Sequence, residues 1–294
     1  MPETKSVTVC ICTFRRASVL AALSSVANQD LPREITYHVI VVDNDGARTA
    51  EPVVSGFCAD TGKEVEYVHA PGQNISIARN AALAACQTRW LAFLDDDETA
   101  TSDWLRGLIG KSDGSTAVFG PCKAIYPDAT PKWMRLGDYH STRINPRERV
   151  INTGYTGNVL IDMDFVRAHK FRFDEEYGRT GGEDTVFFYA LGRKGAQFAY
   201  APEAVAYEQV PENRVSLRWL VGRRYRAGQT YAKLQRNYGF PGYQVLVLLS
   251  PVKIAVCAAV ALPLMVRPSR AMWWMLRGVF HCGVLAFGVG ARSR

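Results

Sequence analysis

Between Val7 and Leu94 the sequence alternates short β-branched or apolar runs with stretches whose apolar residues recur at helical spacing. Val7 to Cys12, Tyr37 to Val42, Val65 to His69 and Trp90 to Leu94 read as strands. Ala17 to Asn28, with Leu20, Leu23 and Ala27 in helical register, the region near Ala50 to Ala59, and Ile75 to Cys86 behind the polar Gln73-Asn74 read as helices. Strand and helix in repeated succession predict an α/β chain: a mostly parallel central sheet with helices on both faces. Such a sheet takes its ligands beyond the carboxyl ends of its strands.

Three polar groups fall on that edge. Thr13-Phe14-Arg15-Arg16 follows the first strand, Asp43-Asn44-Asp45-Gly46 the second, and Asp95-Asp96-Asp97-Glu98 the fourth. Adjacent carboxylates raise one another's pKa unless a counter-charge holds them. The acidic run therefore predicts a divalent cation, Mg²⁺ or Mn²⁺, with a diphosphate behind it. A solvated acidic turn is the alternative, but a turn has no reason to repeat its chemistry at neighbouring strand ends. The rim predicts a nucleotide, since an Asp after a strand can accept from a ribose hydroxyl or a base N–H, and Arg assists the metal on the diphosphate. No G-x-G-x-x-G follows the first strand and no G-x-x-x-x-G-K-[ST] occurs, so neither a dinucleotide fold nor a phosphate loop is indicated.

Further along, Thr116 to Cys122 reads as another strand and Tyr126 to Arg149 as a long loop of the kind that covers a substrate. Thr153-Gly154-Tyr155-Thr156-Gly157-Asn158 precedes the short apolar Val159-Leu160-Ile161. Gly181-Gly182-Glu183-Asp184 then opens a helix carrying Val186, Phe187, Phe188, Tyr189 and Leu191. Acids at a helix start are ordinary capping, worth about 1 kcal/mol, so taken alone Glu183 and Asp184 have two readings.

The 294 residues, 48% of them apolar, suffice for one large domain with an appendage. The net charge of +7 hides an asymmetry: no Asp or Glu follows Glu212, whereas 13 Lys and Arg do, leaving 22 basic against 28 acidic residues up to and including it. A nucleotide rim in the acidic part argues against nucleic acid as partner, and the basic tail predicts phosphates, lipid headgroups included. The seven cysteines are scattered, without C-x-x-C spacing, which indicates neither a disulfide framework nor a zinc site. Cys10 and Cys12, two apart in a strand, are expected to face the same way as a buried pair of small apolar residues. No signal-peptide apolar region follows the polar Met1 to Ser6, so any membrane attachment is expected at the other end.

Taken together and in order, these residues resemble family 2 of the inverting glycosyltransferases, of GT-A fold, over roughly the first two thirds of the chain. Val9-Cys10-Ile11-Cys12-Thr13-Phe14-Arg15-Arg16 is similar to the family's opening strand and turn, and Val41-Val42-Asp43-Asn44-Asp45 to its base-binding segment. Ala78-Arg79-Asn80-Ala81-Ala82 is similar to its A-R-N-x-G/A helix, Asp95-Asp96-Asp97 to its D-x-D metal motif, and Gly182-Glu183-Asp184 to its G-E-D catalytic motif. The resemblance implies Asp184, with Glu183, as catalytic, Asp184 being the base; Asp97 and Asp95 as metal ligands; and Thr13, Arg15, Asp43, Asn44, Asp45, Arg79 and Asp96 around the nucleotide. Two departures stand out: Asn44 where many members have a second Asp, and Ala206-Tyr207-Glu208 where many carry a His in the strand after the catalytic helix. The stretch from Val210 to Gly228 resembles a branch of the family that builds exopolysaccharides of the succinoglycan kind. Its Arg214, Arg223 and Arg224 are the candidates for the leaving diphosphate, with a solvated basic helix face or lipid-headgroup contacts as alternatives.

The resemblance implies a nucleotide-diphosphate sugar donor, UDP-glucose leading, and a polyprenyl-linked saccharide acceptor. The expected organisation is a catalytic domain over 1–212, a basic helical segment over 213–243 and a hydrophobic, membrane-associated tail over 244–294, at the cytoplasmic face of the cell membrane. Val245 to Val266, as one helix, would reach about 33 Å, enough to cross a hydrocarbon core of about 30 Å. Ala271 to Ala291 is of similar length, but Arg277 and His281 lie near its middle, and an Arg there costs about 2.5 to 3.5 kcal/mol. An interfacial or re-entrant pair anchored by Trp273 and Trp274 fits the charges better, and a buried helical pair or a dimer contact is the alternative. A nucleotidyltransferase acting on a sugar phosphate and a non-catalytic membrane-bound nucleotide-sugar-binding protein are the rival functions. The glycine-free Thr13-Phe14-Arg15-Arg16 turn speaks against the first.

Overall fold

The computed structural model of the chain describes residues 4–144, 154–238 and 242–290. It divides into two compact units, one of Met1–Ile125 with Ser141–Gln209, the other of Tyr126–His140 with Val210–Arg294.

In the first unit the strands are β1 (Lys5–Thr13), β2 (Ile35–Asp43), β3 (Val65–His69), β4 (Trp90–Asp95), β5 (Glu98–Ala100), β6 (Ala117–Phe119), β7 (Cys122–Ile125), β8 (Asn158–Asp162), β9 (Phe198–Tyr200) and β10 (Ala206–Gln209). Helices α1 (Val19–Ala27), α2 (Glu51–Thr61) and α3 (Ile75–Ala85) alternate with the first four strands, as their periodicity predicts. Seven strands form one sheet in the order β3-β2-β1-β4-β8-β6-β9. Pairing is parallel from β3 to β4 and between β6 and β9, whereas β8 runs antiparallel to both neighbours.

Alternation along β1 splits the core into two layers. Val9 and Ile11 pack with Leu23, Phe57 and Trp104 on one face, and Cys10 and Cys12 with Ile40, Phe93 and Phe187 on the other. The two thiols are 4.0 Å apart and buried, and burial pushes the Cys10 thiol well up, so they serve as small apolar side chains. On the same face Phe173 stacks on Phe187 with ring centroids 4.0 Å apart.

The single strand expected from Thr116 to Cys122 is instead two, β6 and β7, separated at Gly120-Pro121. A Cβ on Gly120 would fall 2.2 Å from the Ala204 carbonyl, and Pro121 has no N–H for a ladder. The chain leaves the large sheet there and enters a second, three-stranded sheet of order β5-β10-β7, which the sequence did not predict. Asn158 ties the corner together, donating to the Pro121 and Ala204 carbonyls and accepting from Trp104 Nε1 at 2.8 to 3.0 Å. Helix α4 (Trp104–Ile109) follows β5, α5 (Lys132–Gly137) belongs to the second unit, α6 (Met163–Ala168) follows β8, and α7 (Glu183–Arg193) comes after it.

The second unit is helical. Its first piece is α5 (Lys132–Gly137), a helix within the stretch expected to be a loop; residues 145 to 149 of that stretch lie outside the described residues, as does Thr153. The others are α8 (Leu217–Asn237), α9 (Tyr243–Leu248), α10 (Ser250–Ala261) and α11 (Pro268–Gly288). Ser216 opens α8 by accepting from the Trp219 N–H at 3.2 Å. Val245 to Val266 is not one helix. A change of helix at Leu249 ahead of Ser250-Pro251 and a short 3-10 turn at Pro263–Val266 divide it, each new segment beginning with proline in its first turn, where the missing N–H costs nothing. Among the described residues no helix is long and apolar enough to cross a membrane. Helices α8 and α11 approach through glycines: a Cβ on Gly228 would lie 2.0 Å from the Phe280 carbonyl oxygen, and one on Gly283 2.0 Å from that of Tyr225. A small core of Met134, Tyr139, Leu220 and Leu276 joins α5, α8 and α11.

Candidate active site

Strand register assembles the site. Thr13 lies opposite Asp43, Cys12 opposite Asp95 and Asp43 opposite His69, so all three polar groups share one sheet edge.

At the end of β2 the side chains are largely committed to the protein itself. Asp43 is fully buried and accepts from the Asp45 and Ala50 N–H groups and from Tyr67 Oη, each at 2.9 Å. Burial, then Asp43, pushes the Tyr67 phenol up, which keeps it a donor. The Asn44 amide donates to the Ala70 carbonyl and accepts from the Asn74 N–H, both at 2.6 Å. Asn74 in turn caps α3 by accepting from Ser76 N–H at 3.0 Å. The Asn44 amide and the Asp43 carboxylate thus also organise the turn after β2. Asp45 is held by Arg15 at 2.9 Å, whose hydrogen bond keeps the carboxyl below its usual range. Arg15, with φ 57° and a half-exposed side chain, is the more open member of this pair. Substituting Asn44→Ala is expected to lower the thermal midpoint, because it unties β2 from α3, as well as to raise the donor dissociation constant. Calorimetry of donor binding alongside thermal unfolding separates the two, and an unchanged midpoint would contradict the structural role.

The acidic run divides by exposure. Asp96 is buried, accepting from Thr13 Oγ1 at 2.7 Å and Arg16 at 2.9 Å, and burial pushes its pKa up to about 6. Asp95 and Asp97 keep 42% and 23% of their side-chain surface open. Arg16 also pairs with Asp97. It stands beside residues singled out from sequence, and its only sequence signal is its place in the turn after β1.

Arg79 is buried and donates to Glu183 Oε1 at 2.5 Å, while its other nitrogen stands 3.6 Å from Asp95. Rather than reaching outward to a nucleotide, its guanidinium links the D-x-D run to the G-E-D turn. Burial raises the Asp95 pKa, Asp97 and Glu183 add to this, and Arg79 opposes it. Gly181 and Gly182, with φ 84° and 100°, bring the chain into α7 through the left-handed region that glycine tolerates, and no side chain caps that helix. Asp184 accepts from the Thr185 N–H at 2.6 Å; burial, and then Glu183, pushes its pKa up to about 6. Glu98 was counted in the run without a function. It is buried, Oε2 has no partner among the described residues, and burial followed by Asp95 raises its pKa well above normal.

Among the described residues no three His, Cys, Asp or Glu side chains form a ready-made metal cage. A pair of partly open carboxylates, Asp95 and Asp97, is nevertheless the donor set a divalent ion uses when substrate phosphates complete its shell. The residues present fit such an ion.

Arg214, Arg223 and Arg224 belong to the second unit. Arg214 and Arg223 lie over the Trp219 ring, 5.8 and 5.2 Å from its centroid, and His140 stacks on the same ring at 5.0 Å. Arg224 lines a cavity in that unit.

Residues 8–178 match the family model described as "Glycosyl transferase family 2". The chain is 39% identical over 294 residues to the succinoglycan biosynthesis protein ExoM of Rhizobium meliloti (strain 1021), covering 99% of this chain and 95% of that protein. It is 31% identical over 199 residues to the pre-mycofactocin glycosyltransferase of Mycobacterium tuberculosis, covering 65% of this chain and 41% of that one. Among solved structures, the mannosyltransferase PcManGT of Pyrobaculum calidifontis, in complex with GDP-Man and Mn²⁺, superposes with a TM-score of 0.64 at 15% identity over 98% of this chain and 88% of its own. S. aureus TarS 1-349 in complex with UDP gives 0.54 at 17% identity over 98% and 93%. These likenesses show a GT-A-like α/β fold. With more than half of its length matched by the family model and a relative aligned from end to end, the chain belongs to glycosyl transferase family 2 and is a glycosyltransferase.

Proposed function

We propose that this glycosyltransferase is inverting and metal-dependent, moving a sugar from a nucleotide diphosphate, with UDP-glucose the leading donor, onto a polyprenyl-linked saccharide during exopolysaccharide assembly. The end-to-end likeness to a protein named for succinoglycan biosynthesis supports the pathway class, and neighbours bound to UDP or GDP-Man support the donor class. The observation that carries the chemistry is Arg79, which holds Asp95 and Glu183 on one guanidinium and so sets Asp184 beside the acidic run.

Inversion is a single displacement, in which the acceptor hydroxyl loses its proton as the nucleoside diphosphate leaves. Asp184, with a pKa of about 6, is ionised near neutrality yet basic enough to take that proton. Asp95 and Asp97 would hold Mg²⁺ or Mn²⁺, which when bound neutralises the charge developing on the leaving diphosphate. Arg16, already against Asp96 and Asp97, fixes the run in place. Arg214 and Arg223 are proposed to assist with phosphate charge, and the basic helical unit to keep the enzyme at lipid on the cytoplasmic face.

The test is nucleoside diphosphate release across a donor panel, with and without metal and lipid-linked acceptor, and the product's anomeric configuration by NMR. Asp97→Asn should lose transfer by at least ~10²-fold and weaken Mn²⁺-dependent nucleotide binding while the fold survives. Full activity in excess chelator would sink the metal reading.

A further inference from the structure

The second unit contains a cavity of about 260 Å³ whose lining includes Arg224, Arg277, His281, Tyr139, Trp273 and Phe280. No carboxylate is among its lining residues. Among the described residues neither guanidinium has a carboxylate partner; Arg277 lies instead against the Trp273 ring, 5.2 Å from its centroid, and Arg224 makes no ion pair. His281 is buried, 8% exposed, and its enclosed Nδ1 has no hydrogen-bond partner among the described residues. Burial, then Lys253 and Arg277, holds this imidazole below its usual pKa, so it is neutral and one ring nitrogen offers an N–H. Tyr139 Oη is engaged with the Ser269 carbonyl and Phe280 packs beside Tyr231, so the walls are aromatic and fixed.

Two unpaired guanidiniums repel one another, and a buried imidazole nitrogen without a partner leaves desolvation uncompensated; an oxygen-rich anion balances the first and, with the ring's N–H turned to it, the second. The volume lies just under the ~300 to 1,000 Å³ of sites for whole small molecules, which favours a headgroup or a diphosphate over a complete nucleotide sugar. Trp273 is half-exposed at the cavity, and Met275, Leu248, Val252, Leu262 and Val266 are exposed on the same helical unit. An apolar extension of the ligand therefore has surface to lie along.

We propose that this cavity binds the phosphate or diphosphate group of an amphiphile, with Arg224 and Arg277 forking its oxygens, His281 donating to it and Trp273 flanking its apolar chain. The assignment rests on the cavity's chemistry and gives Arg224 to this cavity; its carrier source rests on the lipid-linked acceptor proposed above, and donor hydrolysis measured without lipid distinguishes failure of the cavity from failure of the transfer reading. The ligand has two possible sources, a phospholipid headgroup of the bilayer and the diphosphate of a lipid carrier.

The full chain, purified in detergent, is titrated with farnesyl diphosphate, with inorganic pyrophosphate, and by flotation with phosphatidylglycerol or phosphatidylcholine vesicles. Saturable binding of farnesyl diphosphate, weakened about tenfold or more in both Arg224→Gln and Arg277→Gln, supports the site with a carrier diphosphate as source. Flotation with phosphatidylglycerol that those two variants lose, without farnesyl diphosphate competition, supports it with a headgroup as source. Arg236→Gln, the same charge change on α8 outside the cavity lining, should bind as the parent does. Should all three variants weaken binding equally, or none do so, the cavity is not the site and attraction is diffuse. Arg224→Lys and Arg277→Lys, which keep charge and lose the fork, guard against misfolding and should bind with intermediate strength.

Discussion

Asp184→Asn is expected to lower turnover by at least ~10²-fold, the low end for loss of a general base, with donor affinity nearly unchanged. It is also expected to raise the thermal midpoint above pH 6. The sign follows from the environment of Asp184: burial and Glu183 lift its pKa to about 6 in the folded chain, so the folded state holds the proton more tightly than the unfolded one. That preference stabilises the fold below the unfolded carboxylate range, and the benefit is lost as pH rises through about 6, where ionised Asp184 sits in a poorly solvated place beside another acid. Asparagine removes the charge and can still accept from the Thr185 N–H that Asp184 now engages. Unfolding at pH 5 and pH 8 should therefore show the variant's advantage only at the higher pH, and the parent's turnover should fall as pH drops below about 6. A variant that retains turnover and merely loses stability would make Asp184 a helix-start residue and nothing more.

Arg79→Ala is expected to be the most destabilising single change at the site. The guanidinium is buried between Glu183 at 2.5 Å and Asp95 at 3.6 Å, and Glu183 Oε2 has no other partner among the described residues. Removing one member of a buried ion pair leaves an uncompensated charge and costs about 3 to 5 kcal/mol. Arg79→Lys should recover little, since one ammonium cannot address two carboxylates in a fixed fork. The double variant Arg79→Met with Glu183→Gln should recover stability without activity, because it removes the orphaned charge but not the need for Arg79 to position Asp95 and the turn before Asp184. Denaturant unfolding of the three variants measures this, and a loss below ~1 kcal/mol for Arg79→Ala would mean that the carboxylates find other partners.

These expectations draw on two layers of information. The alternation from Val7 to Leu94, the acids at 95 to 98 and the glycines before Glu183 were legible in the chain, because strand and helix periods and left-handed turns are local properties that neighbouring residues decide. The same locality explains why the run itself does not divide Asp96 from Asp95 and Asp97, a division that only the resemblance implies. Only the approach of Thr13 and Arg16, 83 and 80 positions away, buries Asp96 and leaves its neighbours open.

Tertiary structure decided what each polar group faces. Arg79 and Glu183 are 104 residues apart, and nothing near either announces the other. Asn44 reads as a ligand contact, and only the fold brings Ala70 and Asn74 to both ends of its amide. Gly120-Pro121 reads as the interior of a strand until Ala204 and Asn158 crowd it and turn the chain into a second sheet. Composition and periodicity record which residues can be buried or turned. They do not record which distant group satisfies a buried donor or acceptor, because that pairing exists only once the chain has folded and water is gone from around it.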